Sequence, residues 1–368
     1  MIRHVLAFSI ARRWLVVLAS IGLALWGAWS LARLPIDAVP DITNNQVQIN
    51  VTATALSPAE VEKQVTFPIE TALAGIPGLE STRSLSRNGF AQVTAIFTEK
   101  TSIYFARQQI NERLIEIRQT LPPGARPKIG PVSTGLGEIT MWSVSYANGA
   151  AVKDGEPGPQ RDGSFLTPEG QRLRTEVERA AYLRTVQDWV IRPQLKNVPG
   201  VAGIDAIGGY LKQYQVQPDP AKLIGLGLTF SDIVKAIEAN NVSRGANVIE
   251  RNGEGIVVRS GGRIESLDEL RAIAINTRSG VPIRIGDIAA VSIGGEIRTG
   301  SASENGREVV IGTALMLIGA NSRTVAAAVD ARMQQIEKSL PPGIQVRIVL
   351  NRMQLVDCLL YTSDAADE

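Results

Sequence analysis

The chain repeats itself, and that repeat constrains its fold more than any other feature. Leu-Pro-Pro-Gly occurs at residues 121–124 and again at 340–343. Before it, Ile110, Leu114, Ile117 and Leu121 in the first copy match Val329, Met333, Ile336 and Leu340 in the second, with spacings of 4, 3 and 4 in both. Such spacing lays one apolar stripe along a helix. A β-rich run precedes each helix, at 91–97 and 309–317, and a short strand candidate follows, at 128–130 and 345–350. Upstream, Ile76-Pro77-Gly78 and Val198-Pro199-Gly200 each close a helix. Self-similarity on this scale makes the repeat the folding unit. The two copies read as β-α-β-β-α-β modules, the order of a split βαβ, ferredoxin-like sandwich, so the expected fold class is α+β.

The copies differ in length. Gly78 to Leu121 is 43 residues, whereas Gly200 to Leu340 is 140. The excess is large enough to form a subdomain inserted into the second module, and its composition places it near 210–291. Thr229 with Asp232, and Ser266 with Glu269, mark two helix starts within it. Residues 248–259 between them read as a hairpin turning at Asn252-Gly253. In the first module Ser57-Pro58-Ala59-Glu60 starts a helix that runs to about Ala74. Pro193, inside a helical run, predicts a kink. Residues 147–167 are rich in Gly, Pro, Asp and Gln without an apolar period, and are expected to form an exposed loop.

One segment departs from soluble composition. Residues 14–32 carry only Ser20 and Ser30 as polar side chains. A helix of that length rises about 28 Å, enough for the hydrocarbon core of a bilayer. Arg3, His4, Arg12 and Arg13 precede it, which puts the N-terminus in the cytoplasm and the remainder outside it. A cleaved signal peptide would have a shorter apolar region.

Composition removes several function classes. One Cys and one His exclude an internal disulfide and a His/Cys zinc site; a His-based triad would have to use His4, which lies beside the N-terminal basic flank, and is rejected on that ground. A net charge of +2 and 5 % aromatics give no case for nucleic-acid binding. The Gly-rich stretch 130–137 has no phosphate-loop Lys. Residues 52–58, TATALSP, lack the Gly and Arg of an acylphosphatase-type phosphate loop. Asp37 and Asp41 could attract cations leaving the membrane surface but read first as turn-stabilising residues. Met1, Met141, Met316, Met333 and Met353 form no close cluster, and Met333 lies on the apolar stripe. No catalytic, cofactor-binding or metal-binding residue is assigned.

Longer strings carry a family resemblance. LPIDAVPDITNNQVQI at 34–49, GPVSTGLGEITMW at 130–142, VQDWVIRPQLKNVPGV at 186–201, GGYLKQYQVQPDPAKL at 208–223 and TGSASENGREVVIGTALMLIGANSRTV at 299–325 resemble the start of a resistance-nodulation-division (RND) transporter. They look closer to the cobalt-zinc-cadmium type of its heavy-metal branch than to the copper-silver type. The resemblance implies a proton/cation antiporter rather than an enzyme. It implies a homotrimer in the bacterial inner membrane, a periplasmic adaptor, an outer-membrane channel and divalent cations such as Co, Zn or Cd as substrate. It also implies the division: cytoplasmic 1–13, membrane helix 14–33, first porter subdomain 34–135, second porter subdomain 136–209 and 292–352, docking subdomain 210–291, and 353–357 leading to a further membrane helix. An isolated hairpin is marginal in water, so the one about Asn252-Gly253 is expected either to reach a neighbouring protomer of the trimer or to pack onto the subdomain's own helices. Residues 358–368 resemble a translated sequencing adaptor and are expected to be foreign to the fold. The alternatives are a membrane-anchored periplasmic binding or assembly protein, and a drug-efflux RND relative.

Overall fold

The structure, a computed structural model, describes residues 10–32, 43–147, 149, 152–153, 155–242, 244–251, 254–260, 262–278, 280–296, 298, 300–354 and 358. His4, Asp37, Asp41, the Asn252-Gly253 turn and residues 359–368 lie outside the described residues. Helix α1 (Arg13–Ala32) has 20 residues, a rise of about 30 Å. It is the one described helix long and apolar enough to cross a membrane, and none of its span is buried by the rest of the chain.

The first module runs β1 (Asn45–Thr52), α2 (58–73), β2 (Leu79–Arg87), β3 (Phe90–Phe97), α3 (Ile103–Glu116) and β4 (Arg126–Ile129). Its sheet has the order β2-β3-β1-β4 with every pair antiparallel. Alternation decides which face is covered. Val47, Ile49 and Val51 of β1 and Ala91, Val93, Ala95 and Phe97 of β3 are buried under the helices. Val61, Val65, Ile69 and Leu73 of α2 and Ala106, Ile110 and Leu114 of α3 complete that layer. The backbone N–H and the hydroxyl of Ser57 both donate to Glu60, fixing the start of α2.

The second module begins with β5 (Glu138–Tyr146), followed by three two-residue strands, β6 (Gly158–Pro159), β7 (Phe165–Leu166) and β8 (Arg172–Leu173), then α4 (176–196) and β9 (Val201–Ile207). The insertion follows: β10 (Lys212–Pro218), α5 (Pro220–Leu226), α6 (Phe230–Asn240), β11 (Arg244–Arg251), β12 (Glu254–Ser260), α7 (Leu267–Ala272), β13 (Ala274–Arg278), β14 (Val281–Arg284), α8 (Ile285–Ile288) and β15 (Ala289–Gly295). The short β16 (Ala302–Glu304), β17 (Arg307–Met316), α9 (Ser322–Glu337) and β18 (Ile344–Asn351) complete the module. Its four long strands lie in the order β9-β17-β5-β18, the same as in the first module once the insertion is skipped. Leu183, Ile191 and Leu195 of α4 and Val325, Val329, Met333 and Ile336 of α9 cover one face. The insertion has its own core of Leu223, Leu228, Ile233, Leu270, Ile273, Ile285, Ile288 and Val291.

The repeated glycines are explained by conformation and by contact. Gly78 has φ 81° and Gly200 has φ 87°. A Cβ on Gly78 would fall 2.2 Å from Thr101 Oγ1, and one on Gly200 2.4 Å from Val325 Cγ2. In both modules, therefore, the chain after the first helix turns with positive φ against the start of the second.

One sequence expectation gains detail and a second is corrected. Just ahead of Pro193, where a kink is expected, the helix carries a π turn, Gln187–Ile191, closed by the Arg192 N–H to Gln187 C=O bond. The first module has the same turn at Glu62–Thr66, just ahead of Pro68. A proline ring collides with the carbonyl four residues back, and one widened turn accommodates it without breaking the helix. Secondly, 147–167 is not simply an exposed loop. Gln160, Ser164, Phe165 and Thr167 are buried, and the Phe165 ring lies 4.8 Å from that of Tyr146 and 6.0 Å from that of Tyr182. Strands of two residues are too short to show a period, so the segment reads as a loop while it plugs the module's core.

Trp142, fully buried on β5, donates its indole N–H to Gln187 Oε1 at 2.8 Å. A Cβ on Gly312 of β17 would fall 2.3 Å from that indole. Gly312→Ala is expected to destabilise the second module by about 2 kcal/mol through overpacking, measured by denaturant titration of the chain in detergent.

Candidate functional site

The second module's most built polar region is the point where the insertion leaves it. Helix α4 starts at a capping box in which Thr175 accepts from the Glu178 N–H and Glu178 accepts from the Thr175 N–H. Along the same helix Arg184, Asp188 and Arg192 stand four residues apart, on one face. Asp188 accepts a hydrogen bond from Arg184 Nε at 2.8 Å and is ion-paired with Arg192 Nη2 at 3.0 Å, with only 11 % of its side chain exposed. Arg184 also donates to the Gly208 carbonyl at 3.0 Å. That carbonyl belongs to the first residue after β9, so the ion pair on α4 holds the outgoing strand.

Backbone packing leaves no room for side chains there. A Cβ on Gly208 would lie 2.5 Å from the Val309 carbonyl oxygen, and one on Gly209 2.7 Å from that of Ala180. On the returning side the Arg298 guanidinium sits 4.6 Å over the Tyr210 ring and pairs with Glu308. Between these points β10 and β15 pair antiparallel from Lys212↔Gly295 to Pro218↔Ala289. The insertion thus hangs from a two-stranded stem.

A cleft of about 900 Å³ opens beside this junction, lined among others by Tyr146, Phe165, Arg179, Glu304, Arg307 and Arg347. Arg347 pairs with Glu304 and Arg298 with Glu308. The lining carries three carboxylates, Glu176, Glu304 and Glu308, and three guanidiniums, Arg179, Arg307 and Arg347, so its formal charges cancel.

Among the described residues no group of three or more His, Cys, Asp or Glu side chains is placed to hold a metal ion. Met1 lies outside the described residues, and Met316 packs against the core cluster that holds Met333. Met333 is buried in the module's core, as its place on the stripe predicts. Met141 is half-buried on β5, Met316 is half-buried and pairs with Val201, and Met353 is buried after β18. A half-buried carboxylate lies near that end of the module. Asp330 of α9 accepts from Asn351 Nδ2 at 2.5 Å. Burial pushes the Asp330 carboxyl above its usual range, and the Asn351 bond only partly offsets this.

The sequence reading missed the junction. Two signals were present: the four-residue spacing of Arg184, Asp188 and Arg192, and the Gly208-Gly209 pair at the edge of the expected insertion.

A membrane-length helix and two like-ordered modules, one carrying an inserted arm, find counterparts in known proteins. The model of the AcrB/AcrD/AcrF family matches residues 5–362, and the chain belongs to that family. It is 55 % identical over 366 residues to the nickel and cobalt resistance protein CnrA of Cupriavidus metallidurans, covering 98 % of this chain and 34 % of that protein. To the cobalt-zinc-cadmium resistance protein CzcA of the same organism it is 49 % identical over 362 residues, covering 98 % and 32 %. To the cation efflux system protein CusA of Escherichia coli K12 it is 33 % identical over 359 residues, covering 97 % and 32 %. An X-ray crystal structure of a heavy metal efflux pump superimposes with a TM-score of 0.81 at 28 % identity, covering 97 % of this chain and 33 % of that one. The chain therefore spans about a third of the length of these relatives.

Two outcomes are expected. Arg184→Ala should speed amide exchange in 208–218 and 289–295, measured by mass spectrometry, and leave the first module unchanged. For Asp330, a raised folded-state value means the native chain keeps a proton that the unfolded chain has lost. Its contribution to stability is thus complete below the ordinary carboxylate range and is lost as pH rises through the raised value. Asp330→Asn should remove that component, seen as a difference from the parent chain in denaturation midpoints across the acid range.

Proposed function

We propose that this chain is part of an inner-membrane, proton-driven exporter of divalent heavy-metal cations such as Co, Zn or Cd. In this reading α1 anchors it with the N-terminus in the cytoplasm and the remainder in the periplasm. The two modules are ferredoxin-like porter subdomains, at 34–135 and at 136–209 with 292–352. The arm, near 210–291, is a docking subdomain for neighbouring protomers of a homotrimer, where a periplasmic adaptor and an outer-membrane channel assemble. Residues 353–357 lead to a further membrane helix, and 358–368 are foreign to the fold.

One observation carries the reading. Two sheets of identical strand order, the second split by an arm with its own core, follow an apolar helix that is left unburied among the described residues. They occur in a chain about half identical to proteins named for resistance to nickel, cobalt, zinc and cadmium. The antiparallel order of both sheets supports the ferredoxin-like assignment, and pairing of β10 with β15 supports an arm that closes at about 295.

The test is made on the gene continued past codon 357 from source DNA, expressed with its adaptor and channel in a metal-sensitive bacterium. Raised tolerance to cobalt, zinc or cadmium is expected, with none from the 368-residue chain alone, because a single span cannot form an alternating pathway. No gain in tolerance from the continued gene, or export by the short chain, would overturn the proposal.

A further inference from the structure

We propose that the open face of the first sheet is a docking surface for an acidic polypeptide. The register places four cations on it. One row across the sheet reads Arg87, Phe90, Thr52, Arg126, and the next Leu85, Gln92, Asn50, Lys128. A third reads Arg83, Thr94, Gln48. These positions alternate with the buried Val51, Ala91, Ile49 and Val93, so all of them lie on the side away from α2 and α3. Arg83, Arg87, Arg126 and Lys128 are exposed, and none is hydrogen-bonded or ion-paired among the described residues.

No Asp or Glu shares this face at a register position. Glu80 falls in the β2 irregularity at the opposite end of the sheet. Glu99 lies in the turn after β3, and the remaining carboxylates of the module sit on the helical layer, with Glu60, Glu62 and Glu70 on α2 and Glu112 and Glu116 on α3. Two cations on each edge strand, about 14 Å apart across three strand spacings, thus frame a centre of amides and hydroxyls. Charged residues also blunt sheet edges. Blunting requires charge of either sign, however, and does not account for four positive groups with no negative one.

The chemistry of the face chooses its occupant. A positive surface repels metal cations. Guanidinium forks match carboxylates in two parallel hydrogen bonds, and Gln48, Asn50 and Gln92 can serve a backbone. Membrane lipid is the other anionic source, but chain direction disfavours it. The chain arriving from α1 enters the sheet at Asn45, while Arg87 and Arg126 flank Thr52 at the far end of β1.

The probe is a fluorescent polyglutamate peptide, titrated by anisotropy against the whole chain in neutral detergent. Binding is expected at low salt and should weaken by about tenfold or more as salt is raised. R83Q/R87Q/R126Q/K128Q should weaken it by about tenfold or more, while the helical-layer variant K63Q/R118Q retains it. Equal thermal unfolding of the variants shows that each is folded. Three results would each overturn the proposal: no peptide binding by the parent chain, equal binding by the glutamine variant, or loss in that variant only of binding to phosphatidylglycerol vesicles.

Discussion

Each module packs its helices against one face of its main sheet, and the rest of the structure depends on that asymmetry. Antiparallel strands permit it, because one side can be sealed by apolar contacts while the other stays polar. In the first module Val47, Ile49 and Val51 are sealed while Gln46, Gln48 and Asn50 on the same strand are not. In the second, α4 and α9 seal the matching face, with Trp142 at its centre. The same one-sidedness explains how the second module carries a large arm. β9 lies on the outer side of β17, so the chain can leave the sheet there and return through β16 without crossing the helical layer.

What could be read from the sequence was local. The capping residues Ser57, Thr229 and Ser266 stand where the helices begin, because a cap needs only partners within one turn. The stripe residues Ile110, Leu114, Val329, Met333 and Ile336 are buried for the same reason. The hairpin pairs Val248 with Val257 and Ile249 with Ile256, as its spacing about residues 252 and 253 predicts. What escaped was non-local or too short to be periodic. Trp142 and Gln187 are 45 residues apart, and neither alone signals a buried hydrogen bond. Phe165 belongs to a two-residue strand. The π turn before Pro68 has no residue signature apart from the proline itself. The junction depends on Arg184 reaching Gly208, which only the folded chain brings together.

The strings that suggested the family serve mainly to build the scaffold. In 130–142, the Gly130 N–H bonds to the Gln48 carbonyl, the Gly137 N–H bonds to that of Thr134, and Trp142 fills the core. In 299–325, Asn305 takes a positive φ at the β16–β17 turn, Glu304 pairs with Arg347, and Asn321 caps α9. These residues report a shared architecture. They agree with greater identity to the nickel-cobalt and cobalt-zinc-cadmium relatives than to CusA, yet none of them is placed as a cation ligand.

The two-stranded stem has a mechanical consequence. Because β10 and β15 run side by side, the arm's two ends meet the module about one strand spacing, roughly 5 Å, apart. Any load taken up at the arm's outer end is delivered to one small area, where glycine backbone rests on α4 and Arg184 grips the outgoing strand. The helix beneath that area covers the sheet, so a tilt of the arm becomes a push on the module's own roof.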